Sequence, residues 1–149
     1  MKKNLSRTPG CYYLSTVAII SLVISFVSLS IILFLKEYLG SDDFAGFIYP
    51  FTNTYMMWTI GLITYSVFVS IVTLTFCNDL SKSRFLLYMG IASIFLLTID
   101  TMLAVPKIGV NYLITLPIDI ALPVLYIIGA KKNLDAYIKQ TNSNEVCTT

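Results

Sequence analysis

Four long apolar stretches limit what this chain can fold into. They cover about residues 12–35, 54–77, 85–105 and 108–130. Each exceeds the roughly 18 apolar residues expected of a transmembrane helix. The stretches are continuous and do not alternate between apolar and polar residues, which favours helices over barrel strands. The sequence therefore predicts an all-α membrane protein, folded as a four-helix transmembrane bundle in a single domain, with the lipid bilayer as its surroundings.

The composition excludes an ordinary water-soluble domain. Of the 149 residues, 56% are hydrophobic and only 12% are charged, whereas soluble domains carry about 25% charged residues. There is too little polar material to cover a surface that faces water. The first stretch is long for the apolar region of a signal peptide, and no typical cleavage site follows it. We therefore expect it to be a retained helix.

The positions of the basic residues predict the orientation of the bundle. With both termini in the cytoplasm, eight basic residues lie inside and two lie outside. The inside set is Lys2, Lys3, Arg7, Lys82, Arg84, Lys131, Lys132 and Lys139, and the outside set is Lys36 and Lys107. No basic patch with interleaved aromatic residues is present, so no binding of nucleic acid is expected.

Residues 131–149 are predicted to form a polar cytoplasmic tail, with the last helix prolonged for about two turns. The cysteines are Cys11, Cys77 and Cys147. Their odd number and their spacing match no metal site. We expect reduced thiols, no bound metal and no cofactor.

Asp119 is the principal candidate site residue. Eleven residues without charge separate it from Lys107, and eleven separate it from Lys131. A carboxylate near the middle of a membrane span costs at least about 2.5 kcal/mol. It is retained when it is protonated, paired or turned toward a cavity lined by protein. Two hypotheses follow: Asp119 handles a cation or proton, or it is a structural hydrogen-bonding group inside the bundle.

The neighbours of Asp119 sharpen the first hypothesis. Pro117 and Pro123 cannot donate backbone hydrogen bonds, so a kinked helix with freed carbonyl groups is predicted around the carboxylate. Asn111 and Thr115 lie at a spacing of four residues, on nearly one helical face. Broken, oxygen-rich helix at mid-depth is typical of cation and proton sites in membranes.

Asp100 is the second candidate. It lies in the third stretch, where Thr98 and Thr101 flank it. On the inward face of that helix it could approach Asp119, and two nearby carboxylates would disfavour double ionisation. The alternative is an aspartate anchored near the outer membrane surface.

Small and hydroxylated residues recur at spacings of three and four in the first three stretches. They form one face on each helix, and such faces allow close helix packing in lipid. The alternative is a polar path through the bundle. The residues are Ala18, Ser21, Ser25 and Ser28; Thr59, Ser66, Ser70, Thr73 and Cys77; Gly90, Ser93, Asp100 or Thr101, and Ala104.

Enzymatic activity is not expected. The chain has no histidine, the commonest general acid or base and metal ligand. It has no Gly-rich phosphate loop and no serine in a nucleophile-elbow context. The Gly-x-Gly-Asp pattern of intramembrane aspartyl proteases is also absent from the surroundings of Asp100 and Asp119.

Two functions fit these features. The leading hypothesis is a small non-enzymatic membrane protein that binds a protein partner or subunit in the bilayer, in an immunity, assembly or accessory role. Self-association is included in this hypothesis. The alternative is an oligomeric cation- or proton-coupled transporter centred on Asp119, since so small a bundle leaves little room for an internal path. The preference for lysine over arginine favours a bacterial cytoplasmic membrane.

Overall fold

The computed structural model describes residues 8–38, 53–108 and 116–146. These residues form four α-helices: α1 (Cys11–Tyr38), α2 (Asn53–Phe76), α3 (Ser83–Ile108) and α4 (Leu116–Val146). A short 3₁₀ turn at Leu80–Lys82 precedes α3. Within the described residues there is no strand. The predicted all-α, four-helix membrane fold is therefore confirmed.

Three of the helices contain a segment long and apolar enough to cross a membrane. These segments are Cys11–Phe34, Met57–Phe76 and Leu80–Leu103. Of the fourth predicted span, 108–130, Ile108 is the last residue of α3, and the described part of α4 starts at Leu116. Residues 109–115 lie outside the described residues. The described apolar part of α4, residues 116–130, is about 22 Å long at 1.5 Å per residue, so the crossing of a bilayer core of roughly 30 Å by the whole span stays a prediction.

The predicted polar tail is largely helical. The structure continues α4 without a break through Val146, which is more than four turns past Ala130 at 3.6 residues per turn. The sequence predicted only two. Contacts with α1 support the first of these turns: Asn133 is fully buried, and the Lys132 ammonium lies 4.2 Å from the centroid of the Tyr13 ring. Residues 147–149 lie outside the described part of the chain.

Glycines set which helices approach one another closely. A Cβ atom added at Gly10, just before α1, would overlap the carbonyl oxygen of Gly129 in α4. One added at Gly90 in α3 would lie 2.8 Å from the side chains of Tyr126 and Ile127 in α4. In α2, Gly61 has no such neighbour within 4 Å. The α1–α4 and α3–α4 interfaces thus depend on missing side chains, as small residues permit in membranes.

The bundle is closed unevenly. Helix α1 packs closely against α2 and α4, and α3 packs closely against α4, but α2 and α3 approach each other at far fewer positions. The two helices are nevertheless joined by a short connection, Cys77–Lys82. The hydrogen bonds between α2 and α3 start from the side chains of Trp58 and Tyr65.

The buried core lies at one end of the bundle, which we call the packed end. Its centre is formed by Leu14, Leu86 and Ala130, each with no exposed surface. The full cluster is Cys11, Leu14, Val17, Val69, Cys77, Leu86, Met89, Tyr126 and Ala130. Large apolar side chains elsewhere point outward, such as Phe95 at 66% and Met57 at 75% exposure. Lipid, not water, is the solvent that suits such a surface.

Candidate binding cavity between the helices

The hydroxylated faces of α1, α2 and α3 line one cavity of about 500 Å³. Its serine and threonine side chains are Ser21, Ser25, Ser28, Thr59, Ser66, Ser70 and Ser93. The sequence offered close packing or a polar path for these residues, and the structure contains elements of both. Ser25 donates a 3.0 Å hydrogen bond to Ser66 between α1 and α2, while the faces as a whole surround open volume.

Apolar side chains make up most of the remaining wall. They are Val17, Ala18, Ile24, Leu62, Ile63, Val69, Leu96, Leu97, Leu122 and Pro123. All four helices contribute to the cavity, so one chain suffices to form it. Of the described residues that line it, none is lysine or arginine. The charged groups among them are two aspartates.

Asp119 is one of these aspartates, and it lies partly buried on the cavity wall. It lies in the first turn of the described part of α4. Its place in the middle of a span over residues 108–130 stays a prediction, because residues 109–115 lie outside the described residues.

Pro117 and Pro123 lie on either side of Asp119 in α4. Pro117 is in the first turn of the described part of the helix, directly after residues 109–115, which lie outside the described residues, so the kink at Pro117 stays a prediction. Pro123 lies inside the helix and on the cavity wall. Because it has no N–H, it cannot donate to the carbonyl group of Asp119. The predicted Asn111 and Thr115 lie outside the described residues.

Asp100 is the second aspartate of the cavity. It extends from α3, partly buried, and accepts a 2.9 Å hydrogen bond at Oδ1 from the indole Nε1 of Trp58 in α2. The cavity thus brings together the two carboxylates that the sequence singled out. Three helices contribute to this arrangement: Trp58 belongs to α2, Asp100 to α3 and Asp119 to α4.

Trp58 was not predicted as a site residue. It is the only tryptophan of the chain, and in a sequence a tryptophan near the end of an apolar stretch indicates an anchor at the membrane interface. Its bond to Asp100 spans 42 positions. The sequence could have indicated a hydrogen-bonding role for Trp58, because a buried indole N–H needs an acceptor.

A hydroxyl pair lies where the cavity adjoins the packed end. The phenol oxygen of Tyr126 lies 2.9 Å from Oγ1 of Thr73, and Thr73 has no exposed surface. Tyr126 lines the cavity and also belongs to the buried cluster of the packed end.

Asn133 ties the packed end together. Its side-chain oxygen accepts a 2.7 Å hydrogen bond from the backbone N–H of Gly10, and its Nδ2 donates to the carbonyl of Cys77 at 2.9 Å. Thr8 donates to the same carbonyl at 2.9 Å. We call this set of contacts the Asn133 clasp. It joins the start of α1, the end of α2 and the middle of α4.

Two of the three cysteines lie in the described part of the chain. Cys11 and Cys77 are buried, and Cys147 lies outside the described residues, so the reduced state of the thiols stays a prediction. In the described part of the chain, no group of three or more cysteine or acidic side chains is placed to hold a metal ion.

Comparison of the chain with protein-family models, with curated proteins and with solved structures finds no match. Its class therefore follows from the fold and the cavity. The chain is a helical, multi-helix membrane protein, with an acidic cavity lined by four helices.

Proposed function

We propose that this protein binds a small cationic ligand inside the membrane, in the cavity between its four helices, and that it acts without catalysis. One observation carries the proposal: Asp100 and Asp119 line the same cavity of about 500 Å³, whose other described walls are apolar or hydroxylated. This volume lies within the range of about 300–1,000 Å³ that small-molecule sites occupy.

Electrostatics support a cation as the ligand. Two carboxylates at membrane depth are costly when both are ionised, because each loses hydration and repels the other. A bound cation offsets both costs, and its attraction to a carboxylate is stronger in a medium of low dielectric constant than in water. An anion would meet repulsion from both groups. The hydroxyl groups of α1 and α2 supply further oxygen atoms around the charge.

This proposal keeps one part of each sequence-based hypothesis. It keeps the non-enzymatic binding role of the leading hypothesis, and the use of Asp119 from the transporter alternative. It does not require an oligomer, because all four helices of a single chain line the cavity. A protein partner or a second copy of the chain stays a prediction, since exposed apolar side chains on all four helices are also what contact with lipid requires.

We propose further that the packed end faces the cytoplasm. The eight-to-two distribution of basic residues supports this orientation, and the helical continuation of α4 carries Lys131, Lys132 and Lys139 on that side. The cavity then lies in the outer half of the membrane. A bacterial cytoplasmic membrane remains the predicted location.

The binding test uses the protein's own fluorescence. Because Trp58 is the only tryptophan and is bonded to Asp100, its emission reports on occupation of the cavity. Purified protein in lipid nanodiscs is titrated with tetraphenylphosphonium, and in parallel with tetraphenylborate, an anion of the same shape. We expect a saturable change in emission with the cation alone.

Variants link binding to the carboxylates. Asp119→Asn should weaken binding of the phosphonium at least tenfold, or about 1.4 kcal/mol, measured by equilibrium dialysis with labelled ligand. Asp135→Asn is the matched control, because Asp135 is exposed on the same helix outside the cavity. Equal binding of the two ions, or unchanged affinity in Asp119→Asn, would refute the proposal.

A further inference from the structure

We infer that the ligand reaches the cavity from the lipid, through the seam between α2 and α3, and that Trp58 and Tyr65 latch this seam. The inference rests on the proposed function and names the ligand more narrowly: a cation with enough apolar surface to partition into the bilayer. A cation that stays in water would not take this route.

The seam is the least tightly closed side of the bundle. Helices α2 and α3 approach each other at far fewer positions than α1 and α2, or α3 and α4. The glycines also differ: Gly90 and Gly129 lie in tight contacts with neighbouring helices, while the position next to Gly61 on α2 is open. Parting α2 from α3 therefore disrupts less close packing than parting any other adjacent pair.

Two hydrogen bonds from aromatic side chains of α2 cross the seam. The indole of Trp58 donates to Asp100, and the phenol of Tyr65 donates to the backbone carbonyl of Met89 at 3.2 Å. Tyr65 and Asp100 also line the cavity. Both bonds extend from the ends of long side chains, so rotation of these side chains breaks them without displacing a backbone.

The packed end limits where the seam can widen. The Asn133 clasp holds the carbonyl of Cys77 at the end of α2, and Leu86 is fully buried near the start of α3. Both helices are thus fixed at the same end, next to the short connection between them. Separation is greatest at the opposite end, where Trp58 meets Asp100.

The latch and the site share one group. Asp100 accepts the indole hydrogen bond and also faces the cavity. A cation that approaches through the seam meets this carboxylate first and competes with Trp58 for it. Release of the indole and binding of the cation are therefore coupled at a single side chain.

The experiment compares two tyrosine variants that retain Trp58. Tyr65→Phe removes the bond to Met89 and keeps the ring; Tyr88→Phe is the control, because Tyr88 lies on α3 with 67% of its surface exposed. Association of tetraphenylphosphonium with protein in nanodiscs is followed by stopped-flow emission of Trp58. We expect about a threefold faster association in Tyr65→Phe, as loss of one interhelical hydrogen bond of about 0.6 kcal/mol implies. Tyr88→Phe should match the wild type.

A second measurement tests the route. Lipids with brominated acyl chains should quench Trp58 in the free protein, and quenching should change when the phosphonium binds. The inference is overturned if the cation binds but Tyr65→Phe associates at the wild-type rate, or if brominated lipids do not quench Trp58. Absence of any binding to the wild type would instead refute the proposed function, so the two failures are distinguishable.

Discussion

The packed end and the part of the bundle that lines the cavity, which we call the cavity half, are built from the same four helices. Small residues have opposite effects in these two regions. At the packed end, Gly10 and Gly129 let two backbones approach until no side chain fits between them. In the cavity half, serines such as Ser28 and Ser93 leave volume that nothing else in the described chain fills. A small residue therefore permits close packing only where other contacts hold the helices near each other.

The Asn133 clasp accounts for part of this difference. It satisfies buried backbone groups of Gly10 and Cys77 at one end, which holds three chain segments at close distance. In the cavity half the polar groups belong to side chains that face the open volume, such as Asp100 and Asp119. Stability should therefore be concentrated at the packed end, and binding at the other end of the bundle.

The largest expected effect is that of Gly10→Ala. Its Cβ would overlap a backbone carbonyl, which cannot rotate away as a side chain can. We expect a loss of about 3 kcal/mol of stability, in the upper range for overpacking. Gly61→Ala is the control, because its added methyl group meets no neighbour. Thermal unfolding in detergent, followed by Trp58 emission, measures both, and similar destabilisation of the two variants would contradict the assignment of the packed end.

Asn133→Ala should have the next largest effect. It removes the acceptor of the Gly10 N–H and one donor to the Cys77 carbonyl, and Asn133 has no exposed surface. A cost of about 2 kcal/mol is expected for leaving buried groups unsatisfied. Asn142→Ala, at an exposed position of the same helix, should leave the unfolding temperature unchanged. A stable Asn133→Ala protein would show that the clasp is dispensable.

Filling the cavity should lower the affinity for the ligand and leave the stability of the protein almost unchanged. Ser93→Leu places a larger side chain into the open volume, so affinity for tetraphenylphosphonium should fall about tenfold, or about 1.4 kcal/mol. Unlike the added methyl group at Gly10, this larger side chain meets space and should cost little stability. Binding and thermal unfolding are measured on the same preparation. Strong destabilisation without loss of affinity would reverse the proposed division between the two halves.

The smallest effect is expected at Asp79, outside both halves. Hydrogen bonds from the hydroxyl and the backbone N–H of Ser81 hold the pKa of this carboxyl below its ordinary value. Its contribution to stability is therefore present above the ordinary aspartate pKa and is lost as the pH falls through the lowered pKa. Asp79→Ala should lower the unfolding temperature slightly at pH 7, and this difference should shrink as the pH falls through the lowered pKa. Because the group is exposed, a large difference at pH 7 would contradict this reading.

Much of the fold could be predicted because its cause is local. Long apolar stretches must form helices in lipid, whatever else the chain does, so four helices and their approximate positions followed directly. Asp100 and Asp119 were identifiable for a similar reason, since charged residues in apolar stretches are few and costly. The hydroxylated faces could be recognised from their spacing.

The remaining features depend on contacts between distant residues. Asn133 follows two lysines and looked like the start of a polar tail; its role depends on Gly10, 123 positions away. The donation from Trp58 to Asp100 is likewise invisible until α2 and α3 are placed beside each other.

The uninterrupted course of α4 has a mechanical consequence. Asn133 is buried near the midpoint of the helix, and Tyr126, Gly129 and Ala130 are buried as well, so α4 is held over residues 126–133, about two turns. Its two ends are less covered: one carries Asp119 on the cavity wall, and the other extends past the packed end to Val146. A tilt of the held segment would therefore move these two ends in opposite directions.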